Sequence, residues 1–251
     1  MRLALPGRTI ACRAIIFDKD GTLIDLASMQ LALGRARCQA IQAMAGDRAA
    51  FAWQKAVGFD LAAGHIDRDG PLCLAPRREE LLVAAAAFYQ LGHPWDQARN
   101  LAQRAYDRAD ELLQPPYGSR LLDGVERLLA GLHAMGLLLG IATTDRRWRT
   151  EAALSALGVS SFFSAIVGAE DVEKAKPAPD MALLACERLG CRPGEAIVVG
   201  DSPVDLEMGR AAGAAACIGV PTGLNEAARL APLADAVLPS AAALKDYLLP
   251  D

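Results

Sequence analysis

A chain of 251 residues with a net charge of −4 carries no basic surplus for gripping nucleic acid or an anionic membrane. An anionic small ligand would therefore need a local positive site, not a positive protein. Hydrophobic residues make up 53% of the chain and aromatics only 5%, so alanine supplies much of the apolar content and favours closely packed helices.

The N-terminal run Leu3-Ala4-Leu5 is cut off by Pro6-Gly7 and is too short for the apolar region of a leader peptide. Residues 13–17 form an apolar run with two β-branched residues, ending abruptly in Asp18-Lys19-Asp20-Gly21-Thr22. That is the pattern of a buried strand whose C-terminal end carries acids and a turn glycine. Residues 26–113 differ: helical patterning covers 29–45, 48–57, 77–91 and 95–113, divided by a loop with Gly64, Gly70, Pro71 and Pro76, with no convincing buried strand. This stretch reads as a helical insertion, and Pro115-Pro116 marks the return. The apolar run at 81–89 is far short of the roughly 20 residues that cross a bilayer and reads as part of a water-soluble helix.

Beyond the insertion, apolar runs at 137–142, 163–167, 196–199, 215–220 and 236–238 alternate with helical patterns at 124–135, 147–157, 178–189 and 204–212. Continuously apolar strands alternating with helices predict a parallel sheet covered on both faces. The predicted organisation is an α/β core from residues 1–25 and 114–251, with a helical domain at 26–113. Ligands of such sheets bind beyond the C-terminal strand ends, where most of the noteworthy polar residues fall. Six cysteines, Cys12, Cys38, Cys73, Cys186, Cys191 and Cys217, include no CxxC pair and no zinc-ligand spacing, so they read as free thiols suited to a reducing cytoplasm.

Four clusters carry chemistry. Asp18 and Asp20 can converge if the chain turns at Gly21, although an acidic turn is the plain alternative. Thr143, after the second core strand, can hold a phosphate oxygen, with a helix N-cap by Thr143 or Thr144 as the competing reading. Lys176 precedes Pro177 and Pro179, which restrict its backbone, and can supply a fixed positive charge or lie solvated at the surface. Asp201 ends a strand and Asp205 lies about one helical turn further on, so both can face one cleft; capping by Asp201 or Ser202 competes.

Together, in this order, these clusters resemble the haloacid dehalogenase superfamily in its phosphatase branch, nearest to the phosphoglycolate phosphatase-like enzymes. The resemblance spans nearly the whole chain and implies a Rossmann-like parallel sheet core with an inserted α-helical type 1 cap domain that selects the substrate. Thr144 stands where asparagine is expected. The resemblance implies Asp18 as nucleophile forming an aspartyl-phosphate and Asp20 as general acid and base. It implies Thr143 and Lys176 as ligands of the transferring phosphoryl group, with Asp205 supporting the metal's water or orienting Lys176. Magnesium would be held by Asp18, Asp20 through its backbone carbonyl, and Asp201. Hard oxygen donors without a His or Cys cluster favour magnesium over zinc. Four ionised carboxylates against one lysine also make a cation necessary for phosphate binding.

The expected activity is hydrolysis of a small phosphorylated metabolite, with no nucleic acid or membrane partner. A sugar phosphomutase and a catalytically silent interaction module are the alternatives. A dehalogenase, which needs no second acid of this kind, is disfavoured by Asp20. Arg146, Arg147, Arg149, Arg77 and Arg78 read as solvated. His65 is a weaker candidate for reading substrate, and His93 and His133 read as loop and surface residues.

Overall fold

The computed structural model describes residues 1–5, 8–113 and 118–249. The chain divides into two compact units: Met1–Leu26 with Ser119–Asp251, and Ala27–Gly118 between them in sequence. Pro115 and Pro116, read as the return to the core, lie outside the described residues.

In chain order, the first unit opens with β1 (Arg2–Leu5), β2 (Arg8–Ala11) and β3 (Ala14–Phe17). β1 pairs antiparallel with β2 and with the C-terminal β11 (Leu248–Leu249). No local pattern marks this small sheet, because its partners stand at opposite ends of the chain.

The second unit contains α1 (Leu26–Val57, beginning one residue inside the first unit), β4 (Phe59–Asp60), β5 (His65–Ile66), α2 (Pro71–Leu74), α3 (Arg77–Gln90) and α4 (Trp95–Leu112). The two helices expected before residue 58 are both present within α1, separated by a non-helical kink at Gly46, whose φ of 81° is natural only for glycine. The expectation of no strand is corrected: β4 and β5 form a short antiparallel hairpin, with Phe59 buried against the helices. Alanines at helical spacing, Ala84 and Ala85 on α3 and Ala98, Ala102 and Ala105 on α4, let these helices pack closely around Trp53, Phe88 and Tyr106. A buried polar group crosses this core. Arg37 contacts Glu80 and lies 4.4 Å from the Tyr106 ring centroid, and Trp53 Nε1 donates to the Tyr106 hydroxyl at 2.9 Å.

The first unit resumes with α5 (Val125–Ala134), β6 (Leu138–Ala142), α6 (Arg147–Ala156), β7 (Ala165–Val167), α7 (Asp180–Leu189), β8 (Ala196–Gly200), α8 (Pro203–Ala212), β9 (Ala216–Gly219), α9 (Ala227–Leu230) and β10 (Ala236–Val237). Six parallel strands form one Rossmann-like sheet in the order β10-β9-β8-β3-β6-β7. Strand alternation sends Ile15, Phe17, Ile141 and Val199 to one face, packed with Val125, Leu129 and Leu132 of α5. Ile16, Val198 and Cys217 go to the other face, with Met181 and Ala185 of α7 and Leu206 of α8. This double coverage explains why the strands read as unbroken apolar runs.

The chain's exit from this unit and its re-entry lie side by side. Ile24 bridges to Leu121, Asp25 N–H donates to the Arg120 carbonyl, and Leu122 N–H donates to the Leu23 carbonyl. An Arg120–Asp25 ion pair at 2.6 Å adds to the junction. The six cysteines are free thiols. Among the described residues, no helix is long and apolar enough to cross a membrane.

Candidate active site

β3 is central in the sheet, with β8 on one side and β6 on the other; Phe17 pairs in register with Val199 and Ile141. The residues after these strand ends are therefore neighbours, which brings Asp18, Thr143 and Asp201 to one edge of the sheet. Asp205 follows in the first turn of α8.

Asp18, Asp201 and Asp205 each offer a carboxylate oxygen within 4.8 Å of the others. Lys176, which joins Pro177 through a cis peptide bond, projects into this group. Its Nζ lies 2.7 Å from Asp18 Oδ1 and 2.6 Å from Asp205 Oδ1. Its side chain is 2% exposed, so the alternative of a solvated surface lysine is ruled out. Burial opposes the Lys176 charge, but the Asp18 and Asp205 carboxylates outweigh it and raise its pKa well above the ordinary lysine value. Asp201 and Asp205 are pushed above the usual carboxylate range, first by burial and then by the negative charge of Asp18.

The capping alternatives are settled separately. Ser202 takes the N-cap position of α8, and Asp205 Oδ2 accepts the Ser202 N–H at 3.0 Å. Asp205 thus fastens the helix start with one oxygen and Lys176 with the other. Neither Thr143 nor Thr144 caps α6, where Arg146 holds that position. Thr143 is buried, and its Oγ1 accepts the Asp145 N–H at 3.1 Å, closing a tight turn; Thr144 is exposed.

The Asp20 side chain is held by Lys19. Lys19 Nζ lies 2.9 Å from Asp20 Oδ2 and 3.0 Å from Asp145 Oδ2, with its side chain only 4% exposed. Asp20 Oδ1 is buried without a hydrogen-bond partner. Burial raises the Asp20 pKa against the pull of Lys19. For Lys19, burial works downward and is more than offset by the Asp20 and Asp145 carboxylates. Lys19 and Asp145 were not singled out from sequence: one occupies the spacer of the first motif, and the other meets it only through the fold.

Two glycines seat Asp201. A Cβ on Gly21, whose φ is 85°, would fall 2.7 Å from Asp201 Oδ2, and a Cβ on Gly223 would overlap the same oxygen. Thr222 Oγ1 donates to the Gly21 carbonyl at 2.5 Å, tying the two loops together.

The other sequence candidates are occupied or peripheral. Arg147 pairs with Asp171, and Arg149 stacks over Trp148. Arg77 pairs with Asp107 and Asp110, and Arg78 with Glu79. Arg146 and His65 are exposed, His93 stacks edge-on to Phe88, and His133 to Phe162.

The sequence profile of the haloacid dehalogenase-like hydrolases matches residues 12–213. N-acetylmuramic acid 6-phosphate phosphatase of Pseudomonas aeruginosa is 30% identical over 204 residues, covering 80% of this chain and 78% of that protein. Phosphoglycolate phosphatase of Escherichia coli is 29% identical over 215 residues, covering 85% and 82%. A Thermotoga maritima structure assigned as a β-phosphoglucomutase superposes with a TM-score of 0.68 at 21% identity, covering 94% of this chain and all of that one; it speaks to the fold alone. The protein is a phosphoric monoester hydrolase. It belongs to the haloacid dehalogenase-like hydrolase family.

Proposed function

We propose that this protein is a magnesium-dependent phosphatase that hydrolyses a small phosphate monoester, phosphoglycolate or a similar ester, through an aspartyl-phosphate on Asp18. The observation that carries this reading is the position of Asp18, fixed by Lys176 beside Asp201 and Asp205. The phosphatase names of the relatives support the substrate class.

The residues fit a magnesium ion. Asp18 and Asp201 supply hard carboxylate oxygens close together, Gly21 and Gly223 leave no side chain against Asp201, and the backbone carbonyl of Asp20 would complete the set, as the family resemblance implies. When bound, the ion neutralises charge on the phosphoryl group and helps to hold it for in-line attack. Asp18 is the nucleophile, and Lys176, holding Oδ1, keeps its carboxylate from rotating. As the Asp18–phosphorus bond forms and the ester P–O bond breaks, Asp20 gives a proton to the leaving alcohol. Asp20 then takes a proton from the water that attacks phosphorus, which releases phosphate and restores Asp18. Thr143 Oγ1 already accepts the Asp145 N–H, so its own proton is available to a phosphoryl oxygen. Lys176 has a third N–H for the same purpose. Asp205 orients Lys176. The free thiols and the absence of a basic surplus support a cytoplasmic enzyme acting on a metabolite.

A panel of phosphate esters, assayed for inorganic phosphate with magnesium and with chelator, tests the reading. Magnesium-dependent release with one ester preferred in kcat/KM supports it. Transfer of the phosphoryl group to a sugar without phosphate release would establish a mutase, and no turnover of any ester would end the proposal.

A further inference from the structure

Asp20 needs one oxygen aimed at the leaving group, yet its carboxylate sits in a short, turning segment and could rotate about χ2. The structure shows how rotation is prevented. Lys19 grips Oδ2 at 2.9 Å and leaves Oδ1 buried and unpartnered. Lys19 is itself held by Asp145 at 3.0 Å, across 126 residues of sequence. Asp145 is fixed on every side: Oδ1 accepts the Arg146 N–H at 2.7 Å, its own N–H donates to Thr143 Oγ1, and its carbonyl accepts the Ala169 N–H at 3.0 Å.

Resting on the phosphatase reading above, we propose that Asp145 is a positioning residue that acts through Lys19 to hold Asp20 by Oδ2 and so aims the carboxyl that delivers the proton to the leaving alcohol. The proton passes from the Asp20 carboxyl to the ester oxygen as the P–O bond breaks and the Asp18–phosphorus bond forms. Asp145 touches no reacting atom in this scheme. Because Asp145 also orders the Thr143 turn, it links the phosphoryl-binding hydroxyl to the proton donor.

The test separates aiming of the acid from ordinary structural support. Phospho-enzyme formation is followed by rapid quench in the full-length, magnesium-loaded enzyme, with the best alkyl ester and with p-nitrophenyl phosphate. The aryl leaving group needs little protonation. Asp145→Asn is expected to slow the first step about tenfold or more on the alkyl ester and less than about threefold on the aryl ester, with KM unchanged, because general acid help is worth about 10²- to 10⁴-fold in all. In an Asp20→Asn background the same substitution should have no further effect on the alkyl ester, since nothing remains to be aimed. Lys19→Met should show the same two patterns, and serves if Asp145→Asn does not fold. Equal slowing on both esters, or a full repeated loss in the Asp20→Asn background, would overturn the positioning role while leaving the phosphatase reading intact. A wild-type enzyme that forms no phospho-enzyme on either ester would overturn the phosphatase reading, and this inference with it.

Discussion

A Cβ placed on Gly223 would lie 1.7 Å from Oδ2 of Asp201, closer than any side-chain contact can be. The loop at Gly223 therefore works as a wall against which the Asp201 carboxylate rests. Gly223→Ala must push either the loop or the carboxylate aside. We expect the half-saturating magnesium concentration of turnover to rise about tenfold or more, with the far-ultraviolet circular dichroism of the wild type retained. Gly131→Ala, on α5 with open space around it, should leave magnesium dependence alone and add up to about 1 kcal/mol of stability. An unchanged magnesium dependence in Gly223→Ala would show that the loop yields instead.

Lys176 is the only positive side chain in contact with Asp18 and Asp205 among the described residues. Lys176→Met leaves the buried Asp205 and the partly buried Asp18 without their counter-charge; breaking a buried pair typically costs about 3–5 kcal/mol. Magnesium should then stabilise the variant more than it stabilises the wild type. Single-turnover rates should fall about 10²- to 10³-fold, the scale of losing one preorganised charge donor. Urea melts with and without magnesium, together with rapid-quench rates, check both halves.

Asp18→Asn should form no phospho-enzyme. Asp20→Asn should still form one on p-nitrophenyl phosphate, giving a burst of nitrophenol followed by slow turnover, since the water step also needs a base. A burst from the Asp18 variant would mean that the two acids have been given each other's roles.

In the second unit, Glu80 is buried against Arg37, and burial outweighs the pull of Arg37 and Arg77, lifting its pKa from 4.5 to about 7. A carboxyl raised on folding stabilises the protein fully below its unfolded pKa and loses that contribution as pH climbs through the folded value. Wild-type stability should therefore fall between about pH 4.5 and pH 7, by on the order of 3 kcal/mol from this group. Glu80→Gln stands in for the neutral carboxyl, so its stability should lack this component of the pH slope. Urea midpoints of the two proteins across this window provide the comparison.

The parallel sheet was legible because each buried strand is a continuous apolar run ending on a chemically distinct residue, as Phe17 ends on Asp18 and Val199 on Gly200-Asp201. The β1–β2–β11 sheet was not, because Leu3 and Leu248 pair only after the chain ends have been brought together. Gly46 was legible as a break between helical patterns, and the chain leaves helical geometry there. Within the site, Asp18, Asp20, Thr143, Lys176, Asp201 and Asp205 stood out because acid, hydroxyl and lysine at strand ends are unusual residue choices there. Lys19 and Gly223 carry no such mark. A lysine between two aspartates reads as a spacer, and a loop glycine reads as a turn, until the fold sets one beside Asp145 and the other against Asp201.

The paired junction at Ile24 and Leu121 makes the second unit a detachable excursion from the first. The chain leaves and rejoins through two segments that are already hydrogen-bonded to one another, so closing the gap needs only a turn. A protein in which a short glycine-rich linker replaces residues 27–118 should therefore keep the six-stranded sheet and its strand-end acids. The insertion can be exchanged for another sequence without rewiring the core, and surface loops at such pinched necks are where chains tolerate large changes in length.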